Sequence, residues 1–127
     1  FDSDQKKWFH DYKNKNDDQM FILMNGEEKI GAGAVYDIDG KDESGKIGRL
    51  MIKKRYQGLG YGKALLKKLR GIGFGELGLQ ELKLEVFADN KKAVSLYNSV
   101  GFKINRVKTK GKKEILLMVQ SFYAGKR

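Results

Sequence analysis

Cysteine is absent from this 127-residue chain, and its single histidine is His10. Without cysteine there is neither a disulfide nor a thiol nucleophile, and one histidine excludes a multi-histidine metal site. Carboxylate-only metal binding stays open, but nothing in the sequence supports it, and we predict no metal. No unbroken apolar run exceeds five residues, as at 115–119, whereas a membrane-spanning helix needs about 20. Since no charged-then-apolar leader opens the chain either, we expect a soluble cytoplasmic protein without membrane contact.

Acidic residues become scarce after the first third of the chain. The net charge is +10, but residues 1–45 hold 6 lysines against 11 acids, and residues 46–127 hold 20 basic residues against 5 acids. Such a basic field attracts a polyanion, although a solvated basic surface without a partner is the alternative. A pI near 9.7 is also typical of nucleic-acid-binding domains. Because no nucleic-acid-binding motif accompanies the charge, we do not expect that partner.

By size, residues 1–127 should form one domain. The Asp-Ser-Asp-Gln start is a capping box for a helix that begins after Asp2 and ends near Asn16, with Trp8, Phe9 and Tyr12 on one side. The later segments predict strands and two more helices around a loose glycine-rich stretch. The fold class is therefore α/β (α+β), a single mixed central sheet flanked by helices. The predicted strands are 20–24, 29–38, 46–53, 81–88, 102–109 and 113–119, and the helices are 61–72 and 91–100.

The most informative segment is 47–65, where an apolar strand runs through a glycine-rich turn directly into an amphipathic helix. Such a turn can bind phosphate, because N–H groups at a helix N-terminus are free to donate and glycine lets the backbone approach closely. A P-loop is excluded, since Gln57 and Ala64 stand where it needs glycine and Ser or Thr. A dinucleotide fingerprint is excluded because Lys63 replaces its third glycine.

Two motifs point to one family. The pattern Gln57-x-x-Gly60-x-Gly62 resembles the pyrophosphate-binding motif Gln/Arg-x-x-Gly-x-Gly/Ala of the GNAT superfamily of acetyl-CoA-dependent N-acetyltransferases. Segment 82–102 is similar to the second half of the same cofactor site, in which a strand ends near an Asn and a helix carries Ala-x-x-Leu-Tyr before Gly-Phe. The resemblance covers about residues 20–120. It implies a GNAT-like N-acetyltransferase domain that lacks the family's first strand and helix and starts inside its second helix.

The resemblance also implies a set of cofactor contacts. Amides of the glycine turn would bind the CoA pyrophosphate, with Gln57 positioning the turn, and the strand main chain would pair with pantetheine. Asn90 would contact the pantetheine arm. The alternatives are a glycine turn needed only for packing and an Asn90 that only caps its helix. The implied acetyl-CoA-binding residues are Leu50, Met51, Ile52, Gln57, Gly58, Leu59, Gly60, Tyr61, Gly62 and Asn90.

Tyr97 matches the family's usual general acid. A phenol with a pKa near 10 can protonate a departing CoA thiolate. Tyr97 also follows Asn90 by seven residues, almost two helical turns, so both face one side. The alternative is an ordinary core tyrosine.

The general base is not identified by the sequence. Family members that act on polyamines or protein N-termini often place a Glu where this chain has Lys46. Glu43, Glu85 and ordered water are candidates, while His10 is expected on a helix surface.

The predicted activity is acetyl transfer from acetyl-CoA to a primary amine by direct attack. The segments Ile-Gly-Arg-Leu and Glu-Val-Phe-Ala-Asp-Asn resemble members that acetylate nucleotide-linked amino sugars, which favours a small-molecule acceptor of that kind. Polyamine or ribosomal-protein N-terminal acetylation is the alternative within the family. A catalytically silent acyl-CoA-binding module and a basic nucleic-acid-binding domain are the alternatives outside it. The oligomeric state is left open, with a homodimer as one option.

Overall fold

The computed structural model describes residues 6–12 and 19–122. They form one seven-stranded sheet in the order β1-β2-β3-β4-β5-β7-β6, in which only β4 and β5 are parallel neighbours. Helix α1 follows β4, and helix α2 follows β5. The predicted mixed sheet with flanking helices is thus confirmed. The elements are β1 Lys6–Tyr12, β2 Gln19–Asn25, β3 Glu28–Asp39, β4 Ser44–Ile52, α1 Tyr61–Gly71, β5 Glu81–Phe87, α2 Lys91–Ser99, β6 Lys103–Lys110 and β7 Lys113–Ser121.

The predicted N-terminal helix is wrong over its described part, because residues 6–12 form strand β1. β1 pairs along its whole length with β2, from Lys6 opposite Asn25 to Tyr12 opposite Gln19. Three aromatic residues within seven favour a strand, and pairing with a neighbouring strand overrides weak helical spacing. His10 therefore belongs to a strand and not to a helix surface. The predicted cap at Asp2 and the helix end near Asn16 lie outside the described residues.

A second correction concerns the glycine-rich stretch after α1. It was expected to be loose, but Ile72–Glu76 continue the helix as a single wide turn, closed by the Leu77 N–H to Ile72 O hydrogen bond of 2.9 Å. Ile72 and Gly73 are buried. A Cβ on Gly73 would come within 2.8 Å of the Leu82 side chain, so glycine lets this turn lie directly against β5. The sequence pattern showed the glycines but not this close approach.

The core lies on one face of the sheet, the helix face. Leu82, Leu84 and Val86 of β5 are buried there with Leu65 and Leu69 of α1. The alternate residues of β5 point to the opposite face, since side chains alternate along a strand. We call that opposite side the open face, because no described helix packs on it. No helix in the described ranges is long and apolar enough to cross a membrane.

The sheet divides at a fork between β4 and β5. Their parallel pairing extends only from Ser44 opposite Glu81 to Lys46 opposite Lys83, and no pair is formed beyond it in the described strands. Past the fork, Arg49 and Leu50 oppose the single residue Gly33, which makes a β-bulge in β4. Arg49 adopts the left-handed φ of 55° that the bulge requires. The backbone of β4 from residue 47 onward therefore has a strand partner only on its β3 side.

Candidate active site

The glycine turn leads straight into α1. Gly58 and Gly60 have φ of 78° and 91°, and a Cβ on either would meet nothing within 4 Å. Glycine is therefore needed here for backbone conformation and not for space. The first bond inside α1 runs from the Ala64 N–H to the Gly60 carbonyl at 3.1 Å, and no side chain caps this end. The N–H groups of Gly62 and Lys63 can therefore donate to a ligand.

Side chains tie the turn to the sheet. The Gln57 side-chain amide donates to the Ile52 carbonyl at 2.9 Å, which joins the turn to the end of β4. One residue earlier, the Tyr56 hydroxyl donates to the Glu28 carboxylate at 2.5 Å. Arg55 forms an ion pair with the same carboxylate. The segment ahead of the glycine turn is thus anchored to the start of β3 as well as to β4.

The N-terminus of α2 provides the other side of the site. Asn90 caps α2, because its Oδ1 accepts the Ala93 N–H at 3.2 Å. The capping role predicted from the sequence is confirmed. This bond uses the side-chain oxygen and leaves the amide NH₂ as the group that can donate to a ligand.

The two motifs meet in one cavity of about 400 Å³. Gly62 faces Leu96 of α2 across it, since a Cβ on Gly62 would lie 3.9 Å from the Leu96 side chain. Two lysines and no acidic residue contribute to the lining, so the cavity favours an anion. Its lining residues are Ile52, Gln57, Gly58, Gly60, Gly62, Lys63, Asn90, Lys92, Ala93 and Leu96.

Six of the ten predicted cofactor residues line this cavity, and four do not. Leu50 turns toward the core beside α1. Met51 lies on the open face with its side chain 69% exposed. Leu59 projects from the turn and is 60% exposed. Tyr61 packs edge-on against Tyr56, with ring centroids 5.7 Å apart. Only main-chain groups of these four residues could serve a ligand in the cavity.

Tyr97 lies one helical turn beyond Ala93 but is not part of the cavity lining. Its ring is half-buried and packs against the core cluster. Burial raises the pKa of the phenol above its ordinary value of 10.0. Among the described residues, no side chain hydrogen-bonds its hydroxyl. The site therefore offers a tyrosine that keeps its proton at neutral pH, next to the cavity and not inside it.

Sequence reasoning missed four lining residues, namely Lys63, Lys92, Ala93 and Leu96. Lys63 directly follows the recognised glycine pattern and could have been included. Ala93 follows the cap Asn90 by three residues, a spacing that keeps both on one side of a helix. Leu96 packs against the core cluster as well as lining the cavity, and nothing local distinguishes a core leucine from one at a cavity edge.

Neither candidate base, Glu43 or Glu85, lines the cavity. Glu85 lies on the open face of β5, and its carboxylate contacts the Lys108 ammonium at 2.7 Å. The Lys108 hydrogen bond holds the pKa of Glu85 below its ordinary 4.5. Glu43 lies in the turn before β4, where its carbonyl accepts the Gln80 N–H at 2.7 Å. No described group of three or more Asp, Glu or His side chains could hold a metal ion.

The amino-acid sequence matches the profile of one known protein family. The profile of the family described as Acetyltransferase (GNAT) family matches residues 1–102. The match includes both the glycine turn and α2.

Among characterised proteins, the chain is similar to the spermine/spermidine N(1)-acetyltransferase of Bacillus subtilis, at 36% identity over 70 residues. Those residues are 55% of this chain and 46% of that protein, so the chain spans about half the length of the curated relatives it matches. Among solved structures, a mutant of the spermidine N-acetyltransferase of Vibrio cholerae superposes with a TM-score of 0.82 at 21% identity, covering 87% of this chain and 67% of that one. A dodecameric structure of the Vibrio cholerae enzyme gives 0.79 at 22% identity, covering 86% and 67%.

Proposed function

This chain belongs to the acetyltransferase (GNAT) family, and we propose that it transfers the acetyl group of acetyl-CoA to a primary amine. Members of the family use acetyl-CoA as the donor. The observation that carries the proposal is the cavity in which the glycine turn and the N-terminus of α2 meet. These two segments lie about 30 residues apart in the sequence, and each alone has a simple structural explanation. Their convergence on one anion-favouring cavity supports a shared anionic ligand.

In the proposal, backbone N–H groups of residues 58–62 bind the pyrophosphate of CoA. The uncapped start of α1 supports this role, since helix N-termini favour phosphate. Lys63 and Lys92 add positive charge at the cavity. The pantetheine arm would then run along β4 beside Leu50, Met51 and Ile52. The unpaired β4 edge beyond the fork supports this path, because its main-chain groups lack a strand partner on that side.

Acetyl transfer proceeds by direct attack in this account. The amine nitrogen forms a bond to the thioester carbon, the C–S bond breaks, and its electron pair leaves with sulfur. Tyr97 donates its phenolic proton to the thiolate and regains one from solvent, while the new amide nitrogen loses a proton to water. The phenol of Tyr97 is protonated at neutral pH and can therefore donate, while the pKa raised by burial makes it a weaker acid than a free tyrosine. Main-chain N–H groups of β4 are the candidates that stabilise the carbonyl oxygen.

The acceptor is a primary amine whose finer identity is part of the proposal. The names of the relatives point to polyamines, whereas the amino sugar predicted from the sequence gains no support from them. A second candidate function is a silent acyl-CoA-binding module. It is favoured by one observation, that Tyr97 packs into the core and does not line the cavity.

We also propose that this chain self-associates, and the proposal specifies no number of copies. The Vibrio cholerae relative is dodecameric in its solved structure. Light scattering coupled to gel filtration measures the number of copies for this chain directly.

The test pairs a binding measurement with a turnover measurement. At a hundredfold excess over Kd, acetyl-CoA should stabilise the fold by about 2.7 kcal/mol. Amines should then release CoA thiol at a rate above the hydrolysis seen without amine. Stabilisation without amine-dependent release would support the silent module, and no stabilisation at millimolar acetyl-CoA would contradict both functions.

A further inference from the structure

A second cavity, of about 330 Å³, lies across strands β2, β3 and β4. It shares no lining residue with the cavity between the glycine turn and α2. Small-ligand sites in proteins have volumes of about 300–1,000 Å³, so this cavity is large enough for a small molecule. Its wall is mainly apolar, with Met20, Ile22, Ile30, Ala32 and Met51 among the lining residues.

The cavity results from a row of side chains that crosses the three strands. Ile22 lies opposite Ala32, and Ala32 lies opposite Met51. Gly33 faces α1, because a Cβ on it would lie 2.7 Å from the Leu69 side chain. Since side chains alternate along a strand, Ala32 and its row point to the open face. A small side chain between two large ones leaves a hollow between Ile22 and Met51.

The polar side chains at this cavity are two lysines, Lys29 and Lys53. Among the described residues that line it, none carries a carboxylate, a hydroxyl or a side-chain amide. Glu28 lies at the same end of β3, but Tyr56, Arg55 and Lys53 already contact its carboxylate. An ammonium group of a ligand would therefore enter an apolar hollow without an acidic partner in its wall, and an unpaired buried charge is costly.

The hollow borders the strand along which the pantetheine arm is proposed to run. Met51 lines the hollow, and the next residue, Ile52, lines the cofactor cavity. β4 is also the strand that borders the fork. Because neighbouring strands lie about 4.8 Å apart, a ligand seated over Ala32 is about one strand spacing from β4. Such a ligand can direct its nitrogen toward the fork, where the thioester is proposed to lie.

From this arrangement, which rests on the proposed acetyl transfer, we infer that the hollow binds the apolar body of the acceptor. The acceptor is then a primary amine with one amino group on an alkyl or aryl body, and not a polyamine. Burial against Ile22 and Met51 binds that body, and the flexible Met51 side chain adapts to its shape. A polyamine would have to bring a further ammonium group into the apolar hollow.

The test compares primary amines that differ in chain length or in one charge. With saturating acetyl-CoA, kcat/KM is measured for propylamine, hexylamine, 1,6-diaminohexane and spermidine. Each buried methylene group adds about threefold, so hexylamine should exceed propylamine by about tenfold or more. The diamine differs from hexylamine only in its second amino group, and it should be about tenfold poorer after allowance for its two equivalent amines.

Matched variants locate the effect. Ala32→Leu fills the hollow, and Ile22→Gln places an amide in its wall. Each should reduce the preference for hexylamine over propylamine by about threefold to tenfold, mainly through KM. Ile104→Gln makes the same change as Ile22→Gln on an exposed isoleucine of β6 outside this cavity, and it should leave the preference intact. Stabilisation by acetyl-CoA shows that each variant is folded.

Methionine signals give a readout that depends neither on turnover nor on a variant. The chain has four methionines. Met20 and Met51 line the hollow, whereas Met118 is buried in the core on the helix face. With the methionine methyl groups ¹³C-labelled, hexylamine should shift the Met20 and Met51 signals saturably and leave the Met118 signal in place.

Several results would overturn the inference. Equal acetylation of propylamine and hexylamine, or faster acetylation of spermidine, would leave the proposed function standing and remove the apolar acceptor. A preference equally reduced by Ile104→Gln would remove the role of the hollow. Met20 and Met51 signals that change with protein concentration and not with hexylamine would assign the hollow to contact with a second copy. A chain that acetylates none of the amines but binds hexylamine at these methionines would overturn the proposed acetyl transfer and the acceptor role together.

Discussion

The two faces of the sheet beside the fork expose different parts of the chain. On the helix face, the cavity offers backbone N–H groups at the start of α1, and two glycines with positive φ make them accessible. On the open face, long side chains from separate strands supply the charge. A site built from backbone depends on local conformation, whereas a site built from side chains depends on the register between strands. A single substitution should therefore abolish ligand binding at a backbone site, whereas it should only reduce the affinity of a side-chain site.

Gly60→Val should give the largest effect, because a β-branched residue strongly disfavours the φ of 91° at this position. We expect acetyl-CoA affinity to fall at least about 100-fold, about 2.7 kcal/mol, measured by calorimetric titration. Gly40→Val is the matched control, since Gly40 lies in an exposed turn without positive φ and with open space around its Cβ position. Equal loss of affinity in both variants would contradict the backbone account.

Tyr97→Phe should have the second-largest effect. It keeps the ring in the core but removes the proposed proton donor. We expect kcat to fall about 10²-fold to 10⁴-fold, nearer the lower value because water can substitute, while acetyl-CoA affinity changes little. Unaltered kcat under conditions where chemistry limits the rate would remove Tyr97 from the mechanism, and loss of the fold would assign its hydroxyl to stability.

Tyr56→Phe should have a smaller effect, which acts on acetyl-CoA binding through the position of the glycine turn. It removes the 2.5 Å hydrogen bond to Glu28 that anchors the segment ahead of the glycine turn. A hydrogen bond of this kind contributes about 0.5–1.5 kcal/mol, so acetyl-CoA should bind about threefold to tenfold more weakly with kcat unchanged. Glu28→Gln combined with Tyr56→Phe should be less than additive, and strict additivity would show that the contact does not position the turn.

The smallest effect concerns stability at alkaline pH. Burial raises the pKa of Tyr97 in the folded chain above its value of about 10 in the unfolded chain. The neutral phenol therefore contributes stability that is fully present below about pH 10 and is lost as the pH rises through the folded pKa. Chemical denaturation from pH 8 to 11 should show a decline that is shallower in Tyr97→Phe. An identical decline in both proteins would mean that other groups cause it.

The cavity proposed for the cofactor could largely be predicted from the sequence, because a backbone site leaves a local pattern. Glycine spacing before a helix and an Asn cap before a second helix each have a physical cause within a few residues, and both were located correctly. The open face left no such pattern. Lys46 and Lys83 are 37 positions apart in the sequence, and only the register of β4 against β5 brings them together.

The wrong helix prediction at the start of the chain has a similar origin. Trp8 and Phe9 were assigned to a helix, because the pairing of β1 with β2 cannot be seen in residues 6–12 alone. The role of Tyr97, which rests on its match to the family's general acid and on its spacing from Asn90, stays a prediction, and its ring packs against the core while Leu96 lines the cavity. Spacing gives the side of a helix but not how far each side chain extends across a packed boundary.

The central claim is that backbone amides at the start of α1 bind the phosphates of CoA, and nuclear magnetic resonance tests it most directly. In the ¹⁵N-labelled chain, titration with CoA should shift the amide signals of Gly62 and Lys63 strongly and that of Ala93 to a lesser degree. The amides of β2, which is separated from β4 by β3, should stay in place. Saturable shifts confined to the glycine turn and the start of α2 are the predicted result. Unchanged signals at Gly62 and Lys63 with CoA bound elsewhere would contradict the account.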